Sequence, residues 1–257
     1  MENLNNAKKL NIVVPMAGKG SRFQEAGYTF PKPLIDINGK TMIEVVVNNL
    51  KPKVDYKFIF IRQKEHYDKY DLYHILQNVS DNKFEIIQLN GVTEGAACTV
   101  LTAMQYINND DDLLIANSDQ FVEIDMNDFI RAGREEGKDG LIMTFKASHP
   151  KWSYARVDKN NKVIEVAEKK VISDKATVGV YYFKKGSDFV KAAQSMIEKN
   201  IRHNNEFYVC PVYNEMILGG KNIYIYDIDA EKMHGLGTPE DLNVFLKNLE
   251  DGKIRIK

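Results

Sequence analysis

One segment gathers groups suited to an anionic ligand: Met16-Ala17-Gly18-Lys19-Gly20-Ser21-Arg22-Phe23. Gly18 and Gly20 let backbone N–H groups come close to an anion, Ser21 adds a hydroxyl donor, and Lys19 and Arg22 add positive charge. Together they suit a polyphosphate. Two competing nucleotide motifs fail. GxGxxG would need glycine where Phe23 stands, and GxxxxGK[ST] has no match in the chain. Downstream, Phe30-Pro31-Lys32-Pro33-Leu34 sets a single lysine between two prolines, which restrict the backbone from which its ammonium must be positioned.

Ligands of open α/β sheets sit beyond the carboxyl ends of the strands, so the elements around this loop matter. Residues 10–16 are short, apolar and β-branched and stop at the glycine loop, as a buried parallel strand would. Residues 41–50 are too densely apolar for a strand at that position and read as a helix packed on a sheet. Further strands are expected at 57–61, 84–89, 113–116 and 141–145, with helices near 66–78, 95–107 and 126–136. This alternation predicts a mostly parallel sheet flanked by helices, an α/β fold of Rossmann-like type. From Tyr154 the texture changes. Runs at 154–157 and 162–167, separated by Asp158-Lys159-Asn160-Asn161, read as a hairpin. A strand at 176–183, a helix at 186–198, a strand at 222–227 and a helix at 239–249 follow. Thr238 is placed to cap the last helix, with Pro239 at its first position. No repeat or linker appears, so residues 1–257 are read as one domain with a soft division near 150 into parts 1–150 and 151–257.

Composition excludes several classes. The 35 basic residues against 36 acidic leave no surplus of positive charge for a nucleic-acid backbone or an anionic membrane. Cys98 and Cys210 form no CxxC pair, which argues against structural zinc and leaves two buried thiols as the expectation. The start of the chain lacks a signal-peptide pattern and no apolar run reaches the ~18 residues a membrane span needs, which predicts a cytoplasmic protein. The histidines at 66, 74, 149, 203 and 234 contain no HExxH. Trp152, Tyr154, Tyr181 and Tyr182 are read as sheet packing ahead of pocket lining.

The two-part string GxGSRF followed by PKPLIDINGKTMIE resembles the N-terminal signature of the sugar-nucleotidyltransferase (pyrophosphorylase) family. The likeness continues through Thr93-Glu94-Gly95-Ala96-Ala97, the strand ending Asn117-Ser118-Asp119, the pair Glu168-Lys169, Gly179-Val180-Tyr181, and Gly237-Thr238-Pro239-Glu240-Asp241, so that it spans about residues 9 to 249. It implies a GT-A-like nucleotidyltransferase fold with a smaller C-terminal α+β acceptor-binding part. The implied reaction is attack of an acceptor phosphate on the α-phosphorus of a nucleoside triphosphate, with pyrophosphate released. By this resemblance Met16, Ala17, Gly18, Lys19, Gly20, Ser21, Arg22, Thr93, Gly95, Ala96 and Ser118 bind the nucleotide. Lys32, Glu168, Lys169 and Gly179 bind the acceptor, while Arg22, Lys32 and Asp119 carry catalysis. Asp119 would ligate Mg²⁺, an ion that commonly uses one or two carboxylates beside substrate phosphates.

The partners implied are a nucleoside triphosphate and a phosphorylated small molecule, with no nucleic acid or membrane and with room for a homo-oligomer. One departure stands out. Relatives carry a second metal-ligating aspartate two residues before the GTPED-like motif, where this chain has Gly235. Neighbouring His234 is a poor ligand for hard Mg²⁺, and Asp227 and Asp229 are candidate substitutes. The stretches PMAGKGSRF, AGYTFPKPLID and MHGLGTPEDL look like the capsule-synthesis branch that activates L-glutamine phosphate, so CTP and a capsule-pathway acceptor are favoured. A sugar 1-phosphate acceptor and a non-catalytic nucleotide-binding regulator are the alternatives. Asn204, Asn205, Glu206 and Tyr208 are further acceptor-side candidates.

Overall fold

The computed structural model describes residues 8–18, 20–64 and 70–256. Its main sheet grows from the apolar runs. β1 (Leu10–Pro15) lies between β4 (Tyr56–Gln63) and β6 (Asp112–Ala116), parallel to both, and β5 (Phe84–Leu89) continues the parallel set beyond β4. On the other side β11 (Lys175–Phe183) runs antiparallel to β6 and to β8 (Gly140–Lys146), and β12 (Ile223–Ile228) returns parallel to β8. β9 (Tyr154–Val157) and β10 (Val163–Ala167) form the expected hairpin, joined to β11 through the pair Ala176 and Tyr154. The sheet is therefore mostly parallel, as the alternation predicts, and includes strands from both sides of residue 150.

Both faces of β1, β4 and β6 are buried, and alternate residues enter different cores. Ile12, Val14, Phe58, Phe60 and Leu114 pack on one side with the helices Met42–Leu50, Leu72–Val79 and Pro239–Glu250. Val13, Ile59, Ile61, Leu113 and Ile115 pack on the other with Ala96–Leu101, Gly186–Glu198 and Val212–Leu218. Each such side chain contributes roughly 1.5–3 kcal/mol by leaving water. Val45, Val46 and Val47 are poor helix formers, but burial of their helix outweighs propensity. Its start is fixed by a capping box in which Thr41 and Glu44 bond each other's backbone N–H groups.

Several expectations are corrected. Residues 95–107 form two short helices, Ala96–Leu101 and Met104–Ile107, with the break at Thr102 and Ala103. There the Thr102 hydroxyl bonds the Thr99 carbonyl at 2.7 Å, competing with helical continuation. The helix expected at 66–78 is seen as Leu72–Val79, residues 65–69 lying outside the described part, as does His66. Cys98 is half-buried, and only Cys210 is a buried thiol. Three elements were not anticipated. A hairpin of β2 (Asp36–Ile37) and β3 (Lys40–Thr41) turns at Asn38 and Gly39, both at positive φ. The helix Ser21–Glu25 follows the glycine loop. A two-stranded ribbon joins β7 (Gln120–Val122) to β13 (Met233–Gly235).

The antiparallel strand β11 makes the site. Only its second half, Val180 to Phe183, pairs with β6, so Lys175 to Gly179 runs on past the point where β6 ends. A bulge between Thr177 and Tyr181 bends it there.

Candidate active site

Beyond the carboxyl ends of β1 and β6 lies a cleft of about 610 Å³. Its first wall is the end of the glycine loop. Gly20 adopts a left-handed conformation (φ 63°) ahead of the helix Ser21–Glu25, which is anchored by buried Phe23 and leaves Ser21 and Arg22 facing the cleft. Lys32 follows on a single 3₁₀ turn, Lys32–Leu34. Pro33 is buried and Leu34 N–H bonds the Pro31 carbonyl at 2.8 Å, so the prolines hold the lysine backbone as their spacing suggests. The Lys32 ammonium forms an ion pair with the Asp119 carboxylate, which emerges from the turn after β6. Their side chains are 19% and 29% exposed, so the pair is open enough for a ligand yet partly shielded from water.

Two glycines stand where a side chain would press on the site. A Cβ on Gly237 would lie 2.9 Å from Asp119 Oδ2 and 4.0 Å from Lys32 Nζ, so a side chain there would intrude on the ion pair. Gly179, at φ 93°, sits in the bulge of β11, where a Cβ would meet Asn117 Nδ2 at 2.2 Å and Gln120 Oε1 at 2.6 Å. Its carbonyl accepts from Asn117 N–H at 3.0 Å, tying the bulge to the turn that carries Asp119.

The opposite wall comes from Glu168 and Lys169 just after β10, from β11, and from the segments 151–153 and 208–210. Glu168 accepts a 2.5 Å hydrogen bond from Ser153 Oγ, and burial raises its carboxyl above the ordinary glutamate range despite that bond and nearby Lys169. Lys169 has a left-handed backbone (φ 50°), which costs a non-glycine residue about 1–3 kcal/mol. Its ammonium donates to Tyr208 Oη at 2.8 Å, and that hydroxyl donates to Glu206 at 2.6 Å. Burial, reinforced by Glu206, pushes the Tyr208 phenol up, so it stays a neutral donor. The Cys210 thiol, which also lines this wall, is raised well above its usual value by burial and is no thiolate nucleophile.

Of the residues singled out in the sequence, Gly20, Ser21, Arg22, Lys32, Ala96, Asp119, Glu168, Lys169 and Gly179 line this one cleft. Met16, Ala17, Gly18, Thr93, Gly95 and Ser118 lie outside that lining. Met16 and Ala17 are buried supports: Met16 N–H bonds Ile61 O at 2.8 Å, and Ala17 O accepts from Gln63 Nε2 at 3.0 Å. The Thr93 hydroxyl is engaged with Gly95 O and Thr99 Oγ1. Lys19 lies outside the described residues. Tyr154 and Tyr182 are core, as expected, whereas Trp152 and Tyr181 line the cleft. Asn204 and Asn205 make the tight turn between His203 and Glu206. Asp227 is paired with Lys175 and Thr144, Asp229 with Lys232, and neither lines the cleft. Gln120 and Lys151, which also line the cleft, carry no signal in the sequence, and Asp241 stands there only as a member of the GTPED-like string. Asp241, in the first turn of the capped helix, brings its carboxylate within 3.4 Å of where a Gly235 Cβ would stand.

Among the described residues, no three His, Cys, Asp or Glu side chains gather to hold a metal by themselves. Asp119 offers one carboxylate to the cleft, a donor set that fits an ion completed by waters and substrate phosphates. No helix among the described residues is long and apolar enough to cross a membrane.

The family model for nucleotidyl transferase matches residues 12–243. The chain belongs to the nucleotidyl transferase family. Among solved structures, a nucleoside-diphosphate-sugar pyrophosphorylase from Vibrio cholerae RC9 is similar, with a TM-score of 0.78 and 28% identity over 92% of this chain and 99% of that one. The bifunctional protein GlmU of Buchnera aphidicola is 26% identical over 93% of this chain and 51% of its own length. A 2-aminoethylphosphonate cytidylyltransferase from Lancefieldella rimae is 49% identical over 45 residues, 18% of each chain. This chain spans about half or less of the length of the GlmU relatives it matches. A putative glucose-1-phosphate thymidylyltransferase from Bacillus anthracis, 18% identical with a TM-score of 0.76, shares the fold, which is that of GT-A-like nucleotidyltransferases.

Proposed function

We propose that this chain transfers a nucleoside monophosphate from a nucleoside triphosphate, CTP in the favoured case, to a phosphorylated small-molecule acceptor. The observation that carries the reading is the Lys32–Asp119 pair, set between the Gly20–Arg22 turn and the Glu168–Lys169 wall of one cleft. An acceptor phosphate oxygen forms a bond to the α-phosphorus. The bond from that phosphorus to the β-phosphoryl bridging oxygen breaks, and pyrophosphate departs with the electron pair. No enzyme nucleophile is needed, so the residues act by placing two mutually repelling anions and compensating their charge.

In this reading the glycine turn and Ser21 hold the triphosphate, and Arg22 faces the departing pyrophosphate. Lys32 bridges the acceptor phosphate and α-phosphate, and Lys169 neutralises the acceptor. Asp119 would hold Mg²⁺, which supplies further neutralisation of phosphate charge when bound. The division near residue 150 into a nucleotide-binding and an acceptor-binding part belongs to the same proposal. So do a cytoplasmic setting, a role in capsule or surface polysaccharide synthesis, and L-glutamine phosphate as acceptor.

The local identity to a cytidylyltransferase supports CTP. The similarity to a sugar pyrophosphorylase supports a second reading, a sugar 1-phosphate acceptor and a nucleoside diphosphate sugar as product. Pyrophosphate release, measured with CTP, UTP, GTP, ATP and dTTP against a panel of phosphorylated acceptors with and without Mg²⁺, tests both. Metal-dependent release with one preferred base is expected. Nucleotide binding without release from any pair would leave a non-catalytic regulator.

A further inference from the structure

Beside Gly235 lies a second cavity of about 220 Å³ that shares part of its wall with the cleft. Trp152, Met233, Gly235 and Asp241 belong to the walls of both spaces, and Phe145 and Phe245 line the second. A Cβ on Gly235 would make ordinary contacts of 3.4–3.6 Å with Asp241. The absence of a side chain is thus no packing necessity; it keeps the space there free.

The chemistry of this shared wall is that of a cation site. The Lys151 ammonium lies 4.6 Å from the centroid of Trp152 and 3.8 Å from Asp241 Oδ1, and Trp152 is braced edge-on against Phe145 at 5.2 Å. An aromatic face and a carboxylate thus already hold an ammonium of the protein's own. The Lys151 side chain is 49% exposed, so it can withdraw into water at little cost.

Across the ribbon from Gly235 stands Gln120, its register partner, which also lines the cleft. Gln120 is 4% exposed, and its Nε2 has no hydrogen-bond partner among the described residues. A buried donor left this way is a net cost to the fold unless something accepts from it.

We propose that this shared wall is a subsite for an ammonium group carried by the acceptor. That ammonium takes the place of Lys151 against Trp152 and Asp241, while an oxygen of the same molecule accepts from Gln120 Nε2. The proposal rests on the reading of this wall as the acceptor side of a nucleotidyl transfer site.

The test is calorimetric titration of the full chain with ω-aminoalkyl phosphates of two to five carbons, each against the alkyl phosphate of matched length. At one chain length the amine is expected to bind about 10-fold more tightly, the affinity equivalent of one partly desolvated cation–π and carboxylate contact. Asp241→Asn and Gly235→Leu should bring that ratio to near one, while Lys151→Ala, which removes the internal competitor, should keep or enlarge it. Thermal melts confirm that each variant is folded. No amine preference at any length, a preference that survives Asp241→Asn, or one lost in Lys151→Ala overturns the proposal. Binding is read without turnover, so absence of pyrophosphate release would sink the transferase reading while leaving this ratio measurable. Turnover with no amine preference would do the reverse.

Discussion

Gly237→Ala gives the sharpest test of whether the position of Asp119 controls the rate. The added Cβ would lie 2.9 Å from Asp119 Oδ2, whereas ordinary contact begins at 3.4 Å, so the carboxylate must retreat by about half an ångström. The clash is with the far end of a side chain, the oxygen that Lys32 holds. The Asp119 carbonyl still accepts from Leu236 N–H at 2.8 Å, and the pair with Lys32 is partly exposed. Stability should therefore change by no more than ~1 kcal/mol. A displacement of about 1 Å can cost ~100-fold in a positioned reaction, which scales to about 10-fold in kcat here. Complete removal of a preorganised group should cost more, beyond ~100-fold for Asp119→Asn or Lys32→Ala. The assay is steady-state pyrophosphate release, with a urea titration of each variant to separate rate from folding. A wild-type kcat in Gly237→Ala, or one reduced only in proportion to unfolded protein, refutes the claim.

Gly179→Ala should destabilise the fold by at least ~1–3 kcal/mol, because φ 93° disfavours alanine and the Cβ would overlap Asn117 and Gln120; denaturant midpoints measure it. Arg134→Met should cost roughly 3 kcal/mol by the same measurement. It leaves the fully buried Asp112, which Arg134 Nε contacts at 2.6 Å, without its cation. Glu168 predicts a pH effect. Burial raises its folded-state pKa, so its stabilising share is complete below the unfolded carboxyl's value of about 4.3 and is lost as pH rises through the folded value. Glu168→Gln removes this, so the loss of stability between about pH 4 and neutrality should be smaller than in the parent chain. An equal slope would show that Glu168 titrates normally.

What was legible in the residues follows from how strongly each signal repeats. β5 was expected at 84–89 and spans Phe84–Leu89, because a short apolar strand between polar turns has nothing to compete with it. The closing helix was legible through Thr238, whose hydroxyl accepts from Asp241 N–H at 3.1 Å. The hairpin at 36–41 carries an Asn-Gly turn, but its strands are too short for alternation to register. β7 and β13 are three residues each and meet from distant parts of the chain, a pairing no local pattern encodes. The same limit governs the cleft. Lys32 and Asp119 announce themselves by their flanking residues, whereas Lys151 and Trp152 lie on an aperiodic loop and matter only because β11 brings that loop across from Asp119.

The antiparallel strand also accounts for how a chain of nearly balanced charge gathers cations around the two-phosphate site proposed above. In a wholly parallel sheet the space beyond β6 would be open on its far side. β11 instead overshoots the end of β6 and bends at Gly179, carrying the hairpin of β9 and β10 with it. Lys169 thereby faces the cleft from one wall while Arg22 and Lys32 face it from the other. Few cations are needed when they converge on one partly desolvated volume, since each then acts at short range with little screening. Carboxylates share the space: Asp119 is held by Lys32, Glu168 is bonded to Ser153, and Asp241 stands beside Lys151. The cleft therefore alternates in sign, so a simple polyanion is not its best complement. A ligand with negative phosphate at one end and positive charge at the other matches it better, which links the phosphate chemistry proposed for the glycine loop to the missing side chain at Gly235.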